Sequence, residues 1–139
     1  DYTDTHIAVI NAVKAGAQKI YILGATGTRM DHTFTNICNM KAALDCGAEC
    51  YIYDPHNKIY LAGEEQGSVT VSKNGQYGDY VSVVPLSDMA RISLSGFKYE
   101  LGNYELYQGL SICQSNELRD DKAVIKVHEG LLIVFETKD

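Results

Sequence analysis

KIYILGATGTRMDHTFTNI, residues 19–37, decides the fold of this 139-residue chain. Lys19-Ile20-Tyr21-Ile22-Leu23 is a short β-rich run with little alternation, which predicts an inner parallel strand covered on both faces. Gly24 to Thr28 is a glycine-bearing loop. Beyond it, Asp31 and Thr33 are placed to cap a helix whose face carries Phe34, Ile37, Cys38 and Leu44 and which ends at Gly47. Cys50 to Tyr53 makes another strand, stopped by Asp54-Pro55. Upstream, Ile7, Ile10, Val13 and Ala17 recur at helical spacings, so a helix is expected from Asp4 to about Gly16, capped by Thr3, Asp4 or Thr5. Helices between strands are the grammar of a parallel α/β layer.

After Asn57 no segment carries a helical period. Short β-type runs follow one another at Ile59–Ala62, Ser68–Ser72, Tyr80–Pro85, Arg91–Phe97, Ala123–Val127 and Leu131–Thr137. Turns are marked by Lys73-Asn74-Gly75, Leu101-Gly102-Asn103 and Glu129-Gly130, and an antiparallel sandwich or barrel is expected. The reading is α/β followed by all-β: a partial Rossmann-like parallel domain over residues 1–56, then an antiparallel β-sandwich over 57–139.

Composition bounds what such a chain can do. With 45% hydrophobic and 22% charged residues, 12 Gly and 2 Pro, neither disorder nor a collagen-like repeat is possible. A net charge of −6 lacks the basic footprint that phosphate-backbone binding needs, so nucleic acid is excluded as a partner. The longest apolar run, Leu131 to Phe135, is too short to cross a bilayer, and no signal peptide opens the chain. Cys38, Cys46, Cys50 and Cys113 form no CxxC pair and have no histidine at zinc-finger spacing; reduced, mostly buried thiols in a cytoplasmic protein are expected. The first residue is Asp1 and a helix start follows at once, so an upstream portion of the protein is expected.

The loop carries the chemistry. Gly24-Ala25-Thr26-Gly27-Thr28-Arg29 sets permissive backbone, hydroxyls and a guanidinium at a helix N-terminus, where dipole and N–H groups favour an anion and Arg29 can fork onto phosphate oxygens. A plain strand-to-helix turn with a surface arginine is the alternative. Asp31, two residues on, suits a metal ion or an alcohol to be activated, or is only a cap. Asp1 and Asp4, read as one helical turn apart, share a divalent cation or merely complement the dipole. His32 is expected to pair with backbone near the loop.

Two families compete for these residues. Gly24-Ala25-Thr26-Gly27 resembles the nicotinamide-binding loop of extended short-chain dehydrogenases, with Asp54 near the position of a ribose-binding acid, but the third glycine is missing and no Tyr-x-x-x-Lys follows. The longer string DYTDTHIAVINAV at 1–13, GATGTRMDHTFTNI at 24–37, VSVVPLS at 81–87 and QSNEL at 114–118 resembles the thiamine pyrophosphokinase family over essentially the whole chain, in order and at the right separations. The family motifs read KDxTDT, GATGGRxDHTxxNI, an SxxPLS-like strand and an SNE turn; Thr28 stands where glycine is common.

That resemblance implies transfer of a diphosphoryl group from ATP to the hydroxyl of thiamine, giving thiamine diphosphate and AMP, with Mg2+. Asp4, Arg29 and Asp31 would be catalytic, and Thr26, Gly27 and Arg29 would hold phosphate. Asp1 and Asp4 would hold metal, and Ser115 and Asn116 would contact thiamine. It implies a homodimer with the vitamin site between subunits, residues 1–56 as the C-terminal part of the catalytic domain, and 57–139 as the thiamine-binding and dimerising domain. A thiamine-binding or dimerising module without activity is the second reading, and a nicotinamide-binding domain the third.

Overall fold

Thr3 starts the first helix. Its side-chain oxygen accepts the His6 N–H at 3.3 Å, and α1 runs Asp4–Lys14 in the computed structural model, which describes residues 1–139. Gly16, at φ +90°, turns the chain into β1 (Lys19–Leu23). There follow α2 (Met30–Asn39), α3 (Lys41–Leu44), β2 (Glu49–Tyr53) and β3 (Asn57–Gly63). β1 and β2 pair in parallel, from Lys19 opposite Glu49 to Leu23 opposite Tyr53, and β2 pairs antiparallel with β3. These elements make up the first of two compact units, residues 1–61, with β3 running on across the division.

Three expectations are corrected here. The helix expected to reach Gly47 is broken at Met40, whose N–H bonds to Ile37 O at 3.2 Å in a tightened last turn. It is also rotated: Thr33, Ile37, Asn39 and Met40 are buried while Phe34 is exposed. Asp31 and Thr33 lie inside α2 and do not cap it; Arg29 holds the N-cap position.

One face of this sheet is aromatic. Tyr51 and Tyr53 alternate along β2 with buried Cys50 and Ile52, and Tyr21, opposite Tyr51 on β1, stacks on it with centroids 5.8 Å apart. Lys58 Nζ lies 5.3 Å over Tyr51, a cation–π contact.

The second unit, residues 62–139, is antiparallel throughout. β4 (Ser68–Ser72), β8 (Lys122–Glu129), β6 (Met89–Ser95) and β7 (Leu101–Tyr107) form one layer in that order, and β5 (Tyr80–Pro85) pairs with β9 (Leu131–Thr137). Ala90, Ile92 and Leu94 alternate along β6 with half-exposed Arg91 and Ser93; with Leu106, Ile125 and Val127 they form the buried face of the first layer. Val81, Val83, Leu132 and Val134 are among the buried residues of β5 and β9. Each large apolar side chain so buried contributes about 1.5–3 kcal/mol over leaving it in water. The chain is thus an α/β region followed by a β-sandwich.

β7 corrects the turn expected at Leu101-Gly102-Asn103. Those residues open a strand, and Asn103, at φ +48°, lies where the pairing register of β6 with β7 shifts between Ile92 and Leu94. Turn chemistry here serves a bulge. The four cysteines are all free; burial pushes the Cys50 and Cys113 thiols up to about 11, but only Cys50 is fully buried and Cys46 is exposed. No helix is long and apolar enough to cross a membrane.

Gly130 links β8 to β9 at φ +89°, and a Cβ there would meet Met89 O at 2.5 Å and Ser87 Oγ at 2.7 Å. Gly130→Ala should therefore destabilise the chain by about 2–4 kcal/mol in urea titrations, combining left-handed strain with a backbone clash. Gly75→Ala, in open space, should stay within about 0.5 kcal/mol of the parent.

Candidate active site

The glycine loop is closed by its own side chains. Thr26 Oγ1 donates to Asp54 Oδ2 at 2.7 Å, and the Gly27 N–H donates to Thr33 Oγ1 at 3.3 Å, which in turn donates to Arg29 O. Asn36 Nδ2 donates to Ala25 O at 2.9 Å. Gly24, at φ +73°, makes the turn out of β1, whereas Gly27 and Thr28 do not have positive φ, so the side chain at Thr28 brings no backbone strain. Thr26 and Gly27, expected to donate to phosphate, thus already have partners within the unit.

Asp54 is equally committed. Besides Thr26, its Oδ1 accepts the N–H groups of His56 and Asn57, each at 2.7 Å, and Asn57 Nδ2 at 3.0 Å. Burial pushes its carboxyl up, but the bonds from Thr26, His56 and Asn57 outweigh that and hold it below the ordinary carboxylate range. A carboxylate so occupied has no capacity left for a ribose, which removes the support for the nicotinamide reading.

Arg29 forks onto Asp31, with Nε to Oδ1 at 3.2 Å and Nη2 to Oδ2 at 2.5 Å. The Arg29 guanidinium is the first cause holding the Asp31 carboxyl below its usual value. Asp4 and Asp31 line one cleft of about 540 Å3 with Tyr2, Thr3, His32 and Thr35. Asp1 is not among the lining residues. It precedes the helix, which begins at Asp4, so the one-turn spacing read for Asp1 and Asp4 does not exist, and the carboxylate that Asp4 shares a cleft with is Asp31. His32 is an exposed lining residue without the expected hydrogen bond to loop backbone.

No three His, Cys, Asp or Glu side chains come together to hold a metal on their own. Magnesium, however, is commonly held by one or two carboxylates together with phosphate oxygens and water. The donor set therefore fits a cation that arrives with phosphate and does not fit a cage made by this chain alone.

In the second unit, Ser115 and Asn116 have different jobs. Asn116 is 4% exposed; its Oδ1 accepts the N–H groups of Tyr99 and Glu117 at 3.1 Å, and its Nδ2 donates to Tyr99 O at 2.8 Å. Its amide is spent on backbone. Ser115 is exposed at φ +51°, with its N–H donating to buried Ser82 Oγ at 2.8 Å, and Cys113 is also left-handed at φ +74°. Two non-glycine residues in that region within three positions mark a segment whose shape is imposed by its surroundings. Sequence reading missed Tyr99, whose backbone Asn116 grips and whose ring is 66% exposed under Lys98 Nζ. It also missed the polar stripe Thr33, Asn36, Asn39 on α2. Steps of three along a helix were the signal available.

A parallel α/β unit with a glycine loop at a helix start, followed by an antiparallel β-unit, defines a two-part class of proteins. Residues 1–52 match the family description "Thiamin pyrophosphokinase, catalytic domain", and residues 67–132 match "Thiamin pyrophosphokinase, vitamin B1 binding domain". A thiamine pyrophosphokinase from Bacillus subtilis is 29% identical over 140 residues, covering 100% of this chain and 64% of the relative. The crystal structure of the Bacillus subtilis enzyme superposes with a TM-score of 0.91, at 29% identity over 100% of this chain and 64% of that one. That of thiamin pyrophosphokinase from Geobacillus thermodenitrificans gives 0.87 at 34% identity, covering 100% and 63%. The chain belongs to the thiamin pyrophosphokinase family, and spans less than two thirds of the length of these relatives.

Asp54→Ala should cost about 1–2 kcal/mol at neutral pH, a modest figure because solvent reaches the carboxylate. Its folded pKa lies below the unfolded value, so its contribution is present above about pH 3.9 and lost as pH falls through the lower folded value. Urea titrations of parent and variant should converge on acidification; a gap that stays constant down to pH 2 would remove Asp54 from the acid response.

Proposed function

We propose that the protein is a thiamine diphosphokinase, transferring a diphosphoryl group from ATP to the hydroxyl of thiamine to give thiamine diphosphate and AMP. The observation that carries this reading is the convergence of Asp4 and Asp31 on one cleft at the N-terminal ends of α1 and α2, in a chain matched over both its parts by one family. Arg29, released from Asp31, forks onto phosphate oxygens, and the N-terminal end of α2 adds its dipole to theirs. Asp31 then accepts from or orients the alcohol, holding it for in-line attack. Asp4 is the carboxylate best placed to share a magnesium ion with phosphate, with Asp1 in support from outside the cleft. Magnesium, when bound, supplies positive charge to the phosphate oxygens. Thr26 and Gly27 act by fixing the loop.

Ser115 offers a hydroxyl to the aminopyrimidine, and Asn116 acts by holding Tyr99, whose exposed ring gives the thiazolium a cation–π platform. The exposed apolar side chains of Tyr107, Leu110 and Ile112, in the segment leading to Ser115, support a homodimer through this unit. The free thiols and the absence of a long apolar helix support a cytoplasmic location. Without turnover, thiamine binding by this second unit would remain as the module reading.

Arg29→Ala should lower kcat/KM by about a hundred-fold with melting temperature unchanged, and Arg29→Lys should recover only part, because the fork is lost. Equal kcat/KM in the alanine variant would return Arg29 to the surface. Tyr99→Ala should weaken thiamine binding about two- to thirty-fold in calorimetry. Ser115→Gly removes the hydroxyl while relaxing the left-handed backbone, so it should weaken thiamine without loss of stability. ATP affinity should not move in either; thiamine binding as tight as the parent's in both would sink the assignment of this surface.

A further inference from the structure

The polar stripe on α2 bonds to the glycine loop at one end and to the start of α1 at the other. Thr33 and Asn36 bond to the glycine loop, at Gly27, Arg29 and Ala25. Asn39, one more step of three along the helix, donates through Nδ2 to Thr3 Oγ1 at 3.2 Å. Thr3 Oγ1 is also the cap of α1, accepting the His6 N–H. One oxygen therefore ties the last residue of α2 to the turn that begins with Asp4. Asn39 is 8% exposed, and an amide buried that far is costly to leave unpaired, so the bond resists being given up to water.

We propose that Asn39 is a positioning residue: it sets the Asp4 carboxylate against Asp31 by anchoring the start of α1 to the same helix that anchors the glycine loop. The inference rests on the reading of Asp4 as a carboxylate for a cation that comes with phosphate. The two carboxylates lie on separate helices, and the relative placement of those helices is what a shared ligand reads. Displacements of an ångström in such placements weaken a site far more than they weaken a fold. The stripe converts that placement from loose packing into a chain of directed hydrogen bonds, from Ala25 and Gly27 through α2 to Thr3.

The test uses the whole chain, 15N-labelled, with Mn2+ and inorganic pyrophosphate as probes and paramagnetic line broadening as readout. In the parent, amides of Thr5 and His6 should broaden together with those of Asp31 and His32. Asn39→Ala should keep the second set and lose most of the first. Thr3→Ser, which retains the acceptor, should behave as the parent. Thr3→Ala removes the same bond from the exposed side should Asn39→Ala fail to fold, and adding Asn39→Ala to it should change nothing further. Both sets still broadened in Asn39→Ala, with only the melting temperature lowered, would make Asn39 merely structural and overturn the proposal; so would a parent in which α1 amides never broaden. Thiamine diphosphokinase assays separate the two readings. No turnover in the parent beside an intact broadening map leaves the module reading for this chain and keeps Asn39 in place. Turnover with kcat and magnesium requirement unchanged in Asn39→Ala overturns the positioning and leaves the function.

Discussion

Parallel pairing of β1 with β2, Leu23 opposite Tyr53, is the constraint from which the first unit's chemistry follows. Parallel neighbours require a crossover, and here α2 and α3 supply it. The residues that leave the two strands must then emerge at the same end of the sheet. Those are the glycine loop after β1 and Asp54 after β2, and the 2.7 Å bond from Thr26 to Asp54 closes them on each other. The same crossover starts α2 at that end, so its N-terminal dipole, Arg29 and Asp31 arrive there together. An antiparallel β2 would have carried Asp54 to the far end and left the loop unsupported.

In the second unit the organising element is an irregular segment held against β5. Val81 exchanges backbone bonds with Asn116, Val83 N–H donates to Cys113 O at 3.0 Å, and Ser82 Oγ takes the Ser115 N–H. Successive residues of one strand thus pin successive points of a chain that is not itself a strand. Cys113 and Ser115 are forced into left-handed backbone at a cost of about 1–2 kcal/mol each. The buried Asn116 amide then passes the constraint on to Tyr99. Asn116 supports a surface and Ser115 presents one, a division of labour that two adjacent polar residues in a turn do not announce.

What the sequence discloses and what it hides follow from the range of the interactions involved. The glycine loop and the strands from Ser68 to Ser72, Tyr80 to Pro85 and Leu131 to Thr137 are legible because β-branched runs and glycine punctuation act locally. The buried face of α2 is not, since Thr33 and Asn39 look like solvent-facing residues until their partners at Gly27 and Thr3 are known. Asp54 suggests a ribose-binding acid from its position after a strand; only a partner 28 residues away shows that it is occupied. Gly102 and Asn103 carry turn chemistry that a bulge uses equally well. The spacing of Asp1 and Asp4 misleads because helix starts are the least determined part of a periodic pattern, and Thr3 places the start after Asp1.

The Arg29–Asp31 pair shows how a site can be both closed and available. Its two side chains are 68% and 62% exposed, so the attraction acts through water and salt and contributes little to stability. In the proposed site a diphosphate, with more charge and the same two-oxygen geometry, displaces Asp31 from the fork. On the proposed reading, the arrival of phosphate then does two things at one residue's expense: it engages Arg29 and frees the Asp31 carboxylate. The carboxylate so freed lies in the cleft that Asp4 also lines, so on that reading Asp31 gains the capacity to accept from the alcohol only once phosphate has taken its guanidinium partner.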